Sequence, residues 1–186
     1  MVPGLRDHVS EHWQTLLQAE LPGARSVPPL EQDKLSRAAR VAALDAALDR
    51  VEGSVVLIAH SAGVMITAHW AQQYPERAAQ RIQAALLATP ADLEQPLPAG
   101  YPTPPALEQG GWWPLPRQRL PFRSIVAASR NDPLARYDRV QQLAHDWGSR
   151  LVDLGEVGHL NPAAGFGPWP YAHVLLGMLQ TVEYSD

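Results

Sequence analysis

A three-layer α/β fold is what this sequence predicts: about six mostly parallel strands, helices on both faces, no separate cap domain. Three observations predict it. Short apolar, β-branched runs alternate with longer segments of helical periodicity, which implies a doubly wound parallel sheet. The run Val56-Leu57-Ile58-Ala59-His60-Ser61-Ala62-Gly63 ends a strand abruptly at a serine flanked by small residues, and helix-like Val64 to Gln73 follows at once. The 186 residues suffice for one domain, 1–186, with its own core.

Met1-Val2 reads as the tail of a strand and Pro3-Gly4-Leu5 as the loop after it. Two residues are short for a central strand. Either the first strand is unusually short, or the chain starts downstream of the true start. Ser10 is placed to cap a helix from Glu11 to Glu20, stopped by Leu21-Pro22-Gly23. Ala24 to Val27 reads as a short strand. Leu35 to Val51 reads as a helix with the apolar face Leu35, Ala38, Ala39, Ala42, Ala43, Ala46 and Ala47, closed by Gly53.

The strand Ser54–Ala59 leads into the serine turn, and the next helix runs to about Tyr74-Pro75. Ile82 to Ala88, Ser124 to Ser129 and Arg150 to Gly155 are the remaining strands, with a helix from Tyr137 to Trp147. Counted in chain order, a spatial order 2-1-3-4-5-6 makes strands 1 and 3 neighbours at a switch point. Ligands favour such crevices, and the loop Pro3-Gly4-Leu5 would then lie beside Ser61.

Residues 90–121 break the alternation. Nine of the chain's 18 prolines fall there, interleaved with Tyr101, Trp112 and Trp113, which excludes long helices and inner strands. The segment leaves the Ile82–Ala88 strand on the Ser61 side, and long ordered loops are often functional. One reading is a rim or partial lid with Trp112 and Trp113 lining a substrate pocket. The other is a surface loop whose tryptophans cover the sheet.

The chemistry begins at Ser61. A strand, a tight turn and a helix lift a serine Oγ above a sheet in the nucleophile elbow, whose pattern is G-x-S-x-G. Here Ala59 replaces the first glycine and Gly63 is the second. The bland alternative is a serine that merely caps the helix. A serine hydroxyl needs a base, and the base an orienting acid, in the chain order Ser, Asp/Glu, His. Asp132, in Arg130-Asn131-Asp132-Pro133, and His159, in Glu156-Val157-Gly158-His159, follow the ends of adjacent strands. Alone, Asp132 before Pro133 is a turn signal and His159 a loop histidine. Three correct types in the correct order favour a triad. The rival acids Asp138, Asp153 and Glu156 are worse placed. An oxyanion hole needs two N–H donors; Ala62 is one and Leu5, after the flexible Gly4, the other.

Net charge is −4 with no basic block, so neither nucleic acid nor an anionic membrane is the expected partner. There is no cysteine, which suits a reducing cytoplasm and rules out thiolate chemistry. No run approaches membrane-spanning length and no signal peptide is expected, so a cytoplasmic protein is expected. No phosphate loop or dinucleotide fingerprint appears, and His8 and His12 do not make a zinc helix; neither cofactor nor metal is expected. His60 reads as a packed, hydrogen-bonded histidine beneath the site, and His69 as structural. Trp169 is a further pocket candidate shielding the base from water, or a packing residue.

With these residues placed, the chain resembles the small lidless α/β-hydrolases grouped with retinoblastoma-binding protein nine. The matching segments are Val2-Pro3-Gly4-Leu5, Glu11-His12-Trp13-Gln14, Ala59-His60-Ser61-Ala62-Gly63, Ala68-His69-Trp70-Ala71, Ser129-Arg130-Asn131-Asp132-Pro133, Gly158-His159-Leu160-Asn161 and Gly165-Phe166-Gly167-Pro168-Trp169-Pro170. The resemblance implies a three-layer α/β-hydrolase fold and a serine hydrolase with nucleophile Ser61, acid Asp132 and base His159. It names a chemistry, on a small ester, thioester, amide or peptide, more firmly than a metabolite. The alternative is a hydrolase-fold binding module that engages a protein partner through its surface.

Overall fold

Four parallel strands carry the architecture of this computed structural model, which describes residues 1–180. They are β1 (Val55–Ser61), β2 (Ile82–Pro90), β3 (Arg123–Ala128) and β4 (Arg150–Asp153), side by side in that order. The parallel α/β class is the expected one, but the strand count is four rather than six. The predicted first strand survives as a single parallel bridge, Val2 to Ala59. Val2 N–H donates to the Ile58 carbonyl at 2.8 Å, and His60 N–H donates to that of Val2 at 3.2 Å. The predicted strand Ala24–Val27 is not one. Val27 N–H reaches the Met1 carbonyl at 3.0 Å, but a partner this short offers no ladder. Pro28-Pro29 then supplies no further donors.

Strand alternation sorts the sheet residues into two cores. Leu57, Ala59, Ala85, Leu87, Val126 and Ala128 face the helices α2 (Arg37–Asp49), α3 (Ala62–Gln73), α4 (Pro75–Arg81) and α6 (Tyr137–Trp147). Ile58, Ala84, Leu86, Ala88, Ile125 and Ala127 face α1 (Trp13–Glu20) and α7 (Tyr171–Gln180). Helices on both faces make the three layers. Buried on both sides, the strands read as continuous apolar runs. The sequence reading did not include α7, although Ala172, Leu175, Leu176 and Leu179 carry its helical spacing.

Two other helices correct the sequence reading. His12, not Ser10, caps α1: its ring nitrogen Nδ1 accepts from Gln14 N–H at 3.1 Å. The buried face of α2 is Arg40, Val41, Leu44 and Leu48, while Ala38, Ala42 and Ala46 of the predicted stripe are exposed. Burial scales with apolar area, so the larger Val and Leu side chains set the helix's rotation and the alanines face water at little cost.

The proline-rich segment is pinned at many points. It contains the short helices' only member between β2 and β3 among the described residues, α5 (Pro104–Gln109). Arg37 N–H donates to the Gly110 carbonyl at 2.9 Å, and the Trp112 indole donates to that of Leu35 at 2.8 Å. Arg139 of α6 holds the carboxylates of both Asp92 and Glu94 at 2.8 Å, and Arg117 reaches Glu94 at 2.7 Å. A loop cross-linked in this way is part of the body of the protein.

Candidate active site

The turn from β1 into α3 gives Ser61 φ 59 and ψ −129. Positive φ is costly for a residue with a Cβ. The strain is sustained because β1 and α3 are both buried on either side. Ser61 makes no side-chain cap bond to α3, so the capping alternative does not hold. Its Oγ is instead 2.8 Å from His159 Nε2.

Asp132 completes a chain of three side chains. His159 Nδ1 lies 2.8 Å from Asp132 Oδ2 and 3.0 Å from Oδ1. A carboxylate only accepts, so Nδ1 carries the proton and Nε2 is left to accept from the Ser61 hydroxyl. Both Asp132 and His159 side chains are about 95% or more buried, with exposures of 3% and 5%. The two loops that carry them are stitched together. Asn131 Oδ1 accepts from Gly158 N–H at 2.6 Å, and Arg130 N–H donates to the Gly155 carbonyl at 2.8 Å. Asp132 Oδ1 also accepts from Leu134 N–H at 2.8 Å, which fixes its rotamer.

The rival acids are engaged elsewhere. Asp153 pairs with Arg130 and Asp138 with Arg136, both near the surface, and Glu156 is exposed.

Beneath His159 lies a stack of imidazoles. His60 is centred 4.8 Å from His159, and His12 is 4.6 Å from His60. His60 Nε2–H donates to the His159 carbonyl at 2.9 Å, so the ring beneath the site also holds the backbone of the residue above it. Burial, then the nearby His159, hold His60 well below its ordinary pKa; the same causes push His12 down to about 4. Both rings are therefore neutral near pH 7.

The loop Pro3-Gly4-Leu5 does lie beside Ser61. A Cβ placed on Gly4 would stand 3.1 Å from Ser61 Cβ and 3.3 Å from Oγ. Leu5 is half-buried in this loop, and Ala62 is buried at the first residue of α3. The three tryptophans separate. Trp112 is fully buried in the core, with 0% exposure. It offers no surface to a ligand, which corrects the pocket role expected of it. Trp113 is half-buried, its indole donating to the Leu93 carbonyl. Half-buried Trp169 packs edge-on against Trp13, 4.9 Å between centroids. The sequence assigned no individual role to Gln14, whose amide donates to the Ile58 carbonyl at 2.9 Å and to that of Val2 at 3.3 Å, to Asn131, or to Arg40, which donates to the Leu5 carbonyl. Each acts through a long-range polar contact that no local pattern announces. Among the described residues, no three His, Cys, Asp or Glu side chains gather as a metal-holding group.

Fold and site together define an α/β hydrolase with a serine at its elbow. The chain belongs to the serine hydrolase family, whose sequence model matches residues 1–178. A solved YdeN-like hydrolase from Pectobacterium atrosepticum is 32% identical, covering 96% of this chain and 89% of that one, with TM-score 0.77. The ydeN gene product of B. subtilis is 17% identical, covering 95% of each chain, with TM-score 0.71. The N-formylmaleamic acid deformylase of Pseudomonas putida shares the fold at 14% identity and TM-score 0.66, over 94% of this chain and 89% of that one. No curated protein matches the chain. Among the described residues, no helix is long and apolar enough to cross a membrane.

Proposed function

We propose that this chain hydrolyses a small carboxylic ester or amide through Ser61, His159 and Asp132, with no group beyond its own residues. The observation that carries the reading is the Ser61 Oγ to His159 Nε2 distance of 2.8 Å, on a serine at φ 59. His159 takes the hydroxyl proton as Ser61 attacks the carbonyl, then returns it to the leaving group. Asp132 holds the imidazole in the tautomer this requires and stabilises its charged form. The N–H groups of Leu5 and Ala62 receive the developing oxyanion. Trp113 stands as a pocket wall. Within the serine hydrolases, the finer assignment we favour is the lidless group of retinoblastoma-binding protein nine, acting in the cytoplasm.

The test is a fluorophosphonate probe on the purified protein, the adduct located by peptide mass spectrometry. Ser61→Ala and His159→Ala serve as controls, each checked for folding. Labelling at Ser61 that both substitutions abolish supports the reading. Well-folded wild-type protein that takes no label overturns it and leaves a hydrolase-fold binding module.

A further inference from the structure

Arg40 is a buried charge with no part in the triad. Arg40 projects from the inward face of α2 and is 4% exposed. It stands in the stripe with Val41, Leu44 and Leu48, where an apolar residue would be expected. Stability alone gives little reason for it, because replacing a buried ion pair with apolar side chains is often neutral or stabilising.

Two of its three bonds reach the loop beside Ser61. Arg40 Nε donates to the Lys34 carbonyl at 2.9 Å, which anchors the guanidinium to the start of its own helix. Nη2 donates to the Leu5 carbonyl at 3.3 Å, and Nη1 pairs with the Asp7 carboxylate. Gly4 to Asp7 form a tight turn, closed by Asp7 N–H donating to the Gly4 carbonyl at 3.1 Å. Asp7 sits at φ 55, a strained position for a non-glycine residue, so something must hold it. Arg40 does so.

The geometry fixes where an N–H points. In a trans peptide the C=O and N–H are antiparallel. The Gly4 carbonyl turns inward to Asp7, so the N–H of the same peptide unit, that of Leu5, turns the other way. That peptide starts at Gly4, the residue against Ser61 Oγ. Among the described residues no carbonyl or side chain accepts from Leu5 N–H.

We propose that Arg40, with Asp7, is a positioning residue of the oxyanion site: its guanidinium clamps the turn so that Leu5 N–H is aimed at the reacting carbonyl. The clamp rests on the proposed oxyanion role of Leu5, and the experiment separates the two. Leu5 is the second residue of its turn, where proline is favoured, so Leu5→Pro removes the donor with little disturbance. Turnover of p-nitrophenyl acetate is measured for Leu5→Pro, Arg40→Gln, Arg40→Lys, Asp7→Asn and the double variant Leu5→Pro/Arg40→Gln, beside urea unfolding of each.

Leu5→Pro is expected to lose about 10²–10³ in kcat, and Arg40→Gln about 10–100-fold with KM within about two-fold. Arg40→Lys keeps the charge but not the fork and recovers little. Asp7→Asn, milder for folding, loses about 3–10-fold. The decisive result is coupling: in the Leu5→Pro background, Arg40→Gln costs no more than about two-fold. Additive losses mean Arg40 acts on structure generally and overturn the clamp. Full activity in Arg40→Gln or Asp7→Asn also overturns it while leaving the oxyanion role of Leu5 intact. Full activity in Leu5→Pro removes that role, and the clamp with it.

Discussion

The carbonyl oxygen of Val2 lies 2.1 Å from the point where a Cβ on Gly63 would stand, and that of Pro3 lies 2.8 Å from it. The glycine two residues after the serine is therefore demanded by the neighbouring chain end, which passes across the first turn of α3. Any side chain at 63 pushes Val2 and Pro3 away and drags Gly4 off Ser61.

Gly63→Ala should accordingly be among the more damaging single-methyl changes. Overpacking against backbone costs about 1–3 kcal/mol, and ester turnover should fall at least about ten-fold with the shifted oxyanion loop. Urea unfolding and p-nitrophenyl acetate kinetics check both. Unchanged stability would mean the Val2–Pro3 segment yields freely.

Asp132→Asn should lower kcat by about 10⁴, because an amide favours the wrong imidazole tautomer. Asp153→Asn, which touches the Arg130 pair, the Gly155 N–H and the Tyr137 hydroxyl, should leave kcat within about two-fold. Reversal of the two results would move the acid to Asp153.

Acid should destabilise the fold through its buried imidazoles. His12 and His69 are pushed down to about 4, mainly by burial, and His60 well below 6.5. Above about pH 6.5, folded and unfolded chains alike hold these rings neutral. Below it, the unfolded chain takes up protons that folded His12 and His69 refuse until about pH 4 and that His60 also refuses, so stability is lost as pH falls across that window. The urea midpoint should decline from pH 6.5 to 4.5. His69→Gln, whose amide still donates to the Trp112 carbonyl, should flatten that slope by at most about 1.4 kcal/mol per pH unit. A midpoint independent of pH would show that the rings are protonated in the fold.

Trp112→Phe should lower stability by about 1–3 kcal/mol, through lost volume and a Leu35 carbonyl left without its indole donor. KM should stay within about two-fold for esters of different acyl length. Trp113→Ala should raise KM instead, since that ring is half-buried beside the same loop. A KM change confined to Trp112→Phe would return its ring to the pocket.

The Ser61 elbow was legible because its constraints are local. A β-branched run, small neighbours and an immediate helix occupy the consecutive residues 56–73. The helix read roughly as Tyr137 to Trp147 was likewise legible, with Gly148 at its end in the left-handed conformation. Asp132 and His159 were legible as strand-end residues of the right type in the right order. Their 2.8 Å contact, however, depends on Asn131 joining two loops 27 residues apart. The α2 stripe misled because periodicity counts alanine as apolar, whereas the fold buries the residues with most area to hide.

By itself, then, the sequence determined the layered α/β class, the elbow and the chain order of Ser61, Asp132 and His159. Each is set by short-range sterics or by the period of a strand or helix. Tertiary structure alone decided that the first strand is one bridge and the second none. It also decided that Trp112 belongs to the core and Gly63 serves Val2, and that a buried Arg40 grips the loop beside Ser61. Those outcomes turn on what each group meets across the fold: a neighbouring strand too short to pair, a carbonyl 2.1 Å from a missing Cβ, three acceptors converging on one guanidinium. Close packing and the need to satisfy every buried polar group settle such matters, and neither can be read from residues adjacent in the chain.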